Sequence, residues 1–187
     1  MIRLVTALSL ICGLAACAVE PPVEPELAKS LRVQNVTVEA AGVSTIPQLL
    51  SARLGISEMQ VEADIERALR RELVETSRAG TRPVIVDFRI LSIELHSAMV
   101  GWDRAFPYSQ VVSVMQIRDA RTGEILVEGQ RVSGNDNLGK HTLRSSSNAL
   151  FSNGKSNRQA YNDVVNGFAA DIRQAIFEFD GLMSLVD

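Results

Sequence analysis

Two segments far apart in the chain each carry a continuous apolar stripe at helical spacing, and stripes of that width have to be buried. The first starts behind Ser57, which with Gln60 forms a capping-box signature, and runs through Val61, Ile65, Ala68, Leu69 and Leu73. Its other face holds Glu62, Glu66, Arg67, Arg70 and Arg71 and reads as solvated. Gly80 suits the end of this helix, and Pro83 prevents its continuation. The second helix is expected from about Arg158 to Phe179, capped by Ser156 or Asn157 and ended near Gly181. Tyr161, Val165, Phe168, Ile172, Ile176 and Phe179 make its apolar face.

Strand patterns fill the space around these helices. Leu31, Val33, Val36 and Val38 alternate with one slip, which predicts a bulge near Gln34-Asn35. Val84, Val86, Phe88 and Ile90 alternate, and Leu91, Ile93 and Leu95 then take the other parity, so a second bulge or a change of covered face is expected. Val111 to Arg118 and Glu124 to Ser133 flank a short polar segment ending in Gly123, which reads as a hairpin. Residues Gly42 to Gly55 read as loop. Each helix must cover one sheet face, which predicts an α+β fold: a two-layer sandwich with a mostly antiparallel sheet of three to four strands and two amphipathic helices on one face.

At 187 residues, 46% hydrophobic and 22% charged, the chain has room for one ordinary domain and little more. A formal net charge of −3 argues against general nucleic-acid binding, and no nucleic-acid partner is expected. Two histidines and two cysteines are too few for a multi-ligand zinc site.

The N-terminus is a separate piece. Arg3 precedes an almost wholly apolar run from Leu4 to Leu14, too short to span a bilayer, so residues 1–16 read as a signal peptide. The sequence Leu14-Ala15-Ala16-Cys17 resembles the lipobox of bacterial lipoproteins. That resemblance implies acylation of Cys17, with chains of the palmitate kind, and a mature chain that begins there. Several acyl chains make a lasting membrane anchor where one does not. Loss of Arg3 with the leader takes the net charge to −4. Cys12 leaves with the leader as well, so no disulfide forms within the mature chain. Ala18 after the cysteine resembles the outer-membrane address of enterobacterial lipoproteins, which implies a domain facing the periplasm. Residues 17–30 include Val-Glu-Pro-Pro-Val-Glu-Pro-Glu and are expected to form an extended tether, with the domain over 31–187.

The chemistry-bearing residues do not converge on catalysis, and no catalytic residue, metal ligand or cofactor is expected. Nucleophilic hydrolysis needs a nucleophile, a base and an orienting group. His96 ends a strand and His141 lies in a polar loop, and both read as surface histidines. Glu62 and Glu66 sit on a solvated face, while Asp87 and Arg89 read as an ordinary strand ion pair. Gly134-Asn135-Asp136-Asn137 lacks the spacing and final glutamate of a calcium loop and reads as turn chemistry.

Two loops are candidates for ligand or partner contacts. Trp102, Phe106 and Tyr108 cluster between strands, either as binding anchors or folded back over the core. The segment Gly134 to Asn157 is long for a compact domain, and 14 of its 24 residues are Gly, Asn, Ser or Asp. It is expected to be dispensable for folding. Arg131, Lys140, His141, Arg144, Lys155 and Arg158 give this region a basic bias within an acidic chain. Lys140, Arg144 and Lys155 are the residues through which it would attract an anionic ligand.

The mature layout also resembles small envelope lipoproteins of Gram-negative bacteria. The resemblance lies in the early strand, the helix, the hairpin with Asp119-x-x-Thr122-Gly123-Glu124-x-Leu126-x-x-Gly129, and the closing helix. Lipoproteins of the lipopolysaccharide-assembly type, which plug an outer-membrane translocon, share that order. The resemblance implies a partner subunit in outer-membrane assembly or transport. The basic loop points instead to a binding module for an anionic glycan or lipid.

Overall fold

A computed structural model describes residues 21–40, 55–94, 109–135 and 157–178 of the chain. The elements run α1 (Pro25–Ser30), β1 (Leu31–Glu39), α2 (Glu58–Thr76), β2 (Arg82–Glu94), β3 (Gln110–Asp119), β4 (Ile125–Asn135) and α3 (Asn157–Phe177). The four strands form one sheet in the order β1-β2-β3-β4. β1 pairs with β2 in parallel, and the two other pairings are antiparallel. Parallel neighbours need a long crossover, which the α2 segment supplies. The α+β sandwich expected from the two stripes is thus present, with one parallel pair at its edge.

The expected bulges fall where the alternation slips. The β1–β2 register shifts between Val33 and Asn35, and the β2–β3 register shifts between Ile90 and Ser92. Without the second shift, Ile93 would turn to the opposite face from Ile90; with it, both are buried. α2 packs over β1, α3 over β4 and β3, and the helices pack against each other. Phe168 of α3 meets Phe88 of β2 edge to face, with ring centroids 6.1 Å apart and planes at 76°.

Two expectations are corrected. The extended spacer does not continue to residue 30: Pro25 opens a helical turn, and Val23 and Ala28 are buried in the core. Proline suits the first turn of a helix, where its missing N–H costs no bond. Gly80 does not cap α2, which ends at Thr76. It lies where the chain turns into β2, and a Cβ there would sit 1.8 Å from the Leu31 carbonyl oxygen. Gly80 is therefore small because the β1 backbone passes against it.

The hairpin between β3 and β4 is built on Asp119. Its Oδ1 accepts the N–H groups of Arg121 (2.9 Å) and Thr122 (3.2 Å), and its Oδ2 accepts from Arg82 Nε (3.0 Å). Gly123 takes a φ of 74°, a conformation that favours glycine. The Asp119…Gly123-Glu124 pattern is thus a structural device that closes a turn.

Candidate functional site

The charged face of α2 is divided between two neighbours. Arg70 Nη2 turns toward β1 and donates to Asn35 Oδ1 at 2.7 Å and to Glu66 Oε1 at 2.7 Å. Arg67 and Arg71, on the other flank, line a groove shared with α3. The groove encloses about 790 Å³ between the N-terminal half of α2 and the first turns of α3. Ile56, Ala68 and Val165 contribute apolar lining, while Arg67, Arg71, Arg158 and Asp64 bring the charges.

Asp64 and Tyr161 tie the helices together inside this groove. Asp64 Oδ1 accepts from Gln60 Nε2 and from Arg67 Nη1, both at 2.9 Å, and its Oδ2 accepts from the Tyr161 hydroxyl at 3.3 Å. Burial, followed by the Asp64 charge and that hydrogen bond, pushes the Tyr161 phenol well above its ordinary range. Arg158 and Arg67 pull in the other direction, so both guanidiniums act on this phenol. Tyr161 therefore stays protonated as the donor that fixes Asp64.

Arg71 is held more loosely. It donates from Nη2 to Asn166 Oδ1 at 3.1 Å and from Nε to Glu72 Oε1 at 3.4 Å. Glu72 is shared, since Arg173 Nε lies 3.5 Å from its other oxygen. Arg158 is exposed on the groove and has no ion pair to another described residue.

A second polar cluster crosses the sheet. Asp87 accepts from Thr37 Oγ1 on β1 and from Arg118 Nε on β3, the latter at 2.7 Å. The ion-pair partner of Asp87 is Arg118, and Arg89 is exposed. The expected Asp87–Arg89 pair is corrected accordingly: the neighbouring strand brings a guanidinium closer than the i+2 position on the same strand does. Among the described residues, no group of three or more His, Cys, Asp or Glu is placed to hold a metal ion. No described helix is long and apolar enough to cross a membrane.

Cys17, Trp102, Phe106, Tyr108, Lys140, Arg144 and Lys155 lie outside the described residues, as do His96, His141 and Phe179. Two members of the basic set are described. Arg158 reaches the groove, whereas Arg131 lies across from Val114 on β3. The groove itself escaped sequence reasoning. Its available signal was a pair of four-residue spacings beside the apolar stripes: Arg67 with Arg71, and Asn162 with Asn166.

No family model matches the chain, and no curated protein matches it. Solved structures are similar only loosely. The PelC dodecamer from Paraburkholderia phytofirmans aligns at 10% identity and a TM-score of 0.37, covering 79% of this chain and 86% of that one. A minor lipoprotein from Acinetobacter baumannii aligns at 12% and 0.34, over 79% and 90% of the two chains. A Caulobacter crescentus protein described as a lipoprotein aligns at 10% and 0.33, over 81% and 90%.

Proposed function

We propose that this protein is a lipid-anchored lipoprotein of the Gram-negative envelope, processed at Cys17 and held at the outer membrane facing the periplasm. Its domain acts without catalysis, as a partner subunit in outer-membrane assembly or transport. The observation that carries this reading is the Leu14-Ala15-Ala16-Cys17 run at the end of an apolar segment. Burial of Val23 adds a geometric consequence. Val23 stands six residues beyond Cys17, a reach of at most about 20 Å for a fully extended chain. A lipid on Cys17 therefore keeps the domain close to the membrane surface, where an envelope partner is met. The fixed state of Asp64, bound by three donors, supports a scaffold more than a proton-transfer site.

The second reading, a binding module for an anionic glycan or lipid, is favoured by the arginines of the inter-helix groove. Crosslinking in intact cells, followed by pull-down from membranes, separates the two. A protein recovered in stable ratio with this chain supports the partner subunit. Retention of an acidic glycolipid without a protein supports the binding module and contradicts the first reading.

A further inference from the structure

Three arginines and one carboxylate line the groove between α2 and α3, in a chain whose net charge is negative. The carboxylate is already committed, since Asp64 is bound by Gln60, Arg67 and Tyr161. Arg71 shares Glu72 with Arg173, and Arg158 has no carboxylate partner among the described residues. Three arginines thus stand against one aspartate on the groove lining, with Glu72 beside Arg71 offsetting part of that excess. A phosphate group matches the positive charge that remains, and guanidinium forks suit its oxygens.

The rest of the lining suits what a phosphate would be attached to. Asn162, exposed on α3, offers an amide donor and acceptor, and Asn166, whose Oδ1 already takes Arg71, adds amide donors one turn on, as hydroxyl groups require. Ile56, Ala68 and Val165 are buried beneath the groove, so the surface it offers to a ligand is mainly polar. The groove lies at the N-terminal end of α2. The chain from the anchor enters beside the other end, where Ser77 Oγ accepts the Val33 N–H at 2.9 Å.

From this geometry we infer that the groove is a binding site for a phosphorylated saccharide, with Arg158 and Arg71 holding the phosphate. The inference rests on the binding-module reading and locates its site in the helix layer. It is independent of whether Cys17 is acylated.

The test is a titration of the isotope-labelled full chain in detergent micelles, followed by amide chemical shifts. The probes are glucose 1-phosphate, unphosphorylated glucose, inorganic phosphate and micelles of lipid A. The site predicts saturable shifts centred on Asp64, Arg71 and Asn162 with glucose 1-phosphate, tighter than with inorganic phosphate and weaker as salt rises. Shifts with lipid A alone would identify the source as a glycolipid headgroup and still support the site. Arg158→Gln should weaken binding about tenfold or more, the cost of losing a charge-assisted contact. Arg78→Gln, on an exposed residue paired with Glu75, should leave binding unchanged. Absence of saturable shifts with both glucose 1-phosphate and lipid A would overturn the inference. So would equal binding of unphosphorylated glucose, or an affinity indifferent to Arg158→Gln in a variant whose spectrum remains folded.

Discussion

The Tyr161 hydroxyl donates to Asp64 Oδ2 at 3.3 Å, so one hydrogen bond links the first turns of α3 to the middle of α2. The Tyr161 residue is buried, and its ring belongs to the core while its oxygen faces the groove. Tyr161→Phe keeps the ring and removes the bond. Gln60 and Arg67 stay on Asp64 Oδ1, while Oδ2 loses its donor and, on a groove-lining carboxylate that is 18% exposed, turns to solvent. The expected loss is about 0.5–1.5 kcal/mol by urea denaturation. A loss above about 3 kcal/mol would mean that the hydroxyl carries more of the helix contact than this single bond.

The contact between α3 and β4 should be far less forgiving. Phe168 is fully buried, and Phe168→Ala should cost about 3–5 kcal/mol. Gly134 lies under the same helix, where a Cβ would sit 2.6 Å from Phe168 Cα and 3.1 Å from Asp171 Oδ2. Gly134→Ala must push backbone from backbone, and overpacking of this kind costs about 1–3 kcal/mol. Glu66→Ala removes an exposed pair with Arg70 and should cost less than about 1 kcal/mol. Thermal melts of the three variants should rank Phe168→Ala as the most damaging and Glu66→Ala as nearly neutral; equal shifts would contradict the assigned helix faces.

Acid should loosen the hairpin in a defined window. The Arg121 N–H, then the Arg82 guanidinium and the Thr122 N–H, hold the Asp119 carboxyl down at about 2, against 3.8 for an ordinary aspartate. The folded state therefore binds this proton more weakly than the unfolded state. The associated stability is complete above about pH 4 and disappears as pH falls through 3.8 toward 2. Asp119→Asn should flatten the stability profile in that interval and lower stability at neutral pH. An unchanged acid limb in the variant would show that other carboxylates control it.

The helices and strands were legible in the sequence because each is fixed by a local period. Val61, Ile65, Leu69 and Leu73 are all buried, as their spacing requires, and the slips at Gln34-Asn35 and after Ile90 coincide with register shifts. Ser57 accepts the Gln60 N–H at 3.2 Å, as the capping signature predicts. What escaped was pairing across elements. Asp87 takes Arg118 rather than Arg89, and Gly80 answers to Leu31, because partners on neighbouring strands leave no mark at a fixed sequence spacing. The groove escaped for the same reason. Arg67 and Arg71 look solvated on α2 alone and become groove lining only when α3 brings Tyr161 and Asn166 beside them. Val23 and Ala28 were hidden by the prolines around them, which suggested a spacer where the core already begins.

Anchoring of the domain depends on a covalent event at one sulfur atom, Cys17 Sγ. The direct measurement is mass spectrometry of the N-terminal peptide from the full chain expressed in a Gram-negative host and recovered from membranes. A lipid-anchored protein should give a mature chain that begins at Cys17, carries acyl groups and continues with Ala18-Val19. Cys17→Ser should accumulate as unprocessed precursor or leave the membrane fraction, with its domain folded. A mature chain that begins elsewhere with an unmodified Cys17, or normal maturation and membrane retention of the Cys17→Ser variant, would contradict anchoring at Cys17.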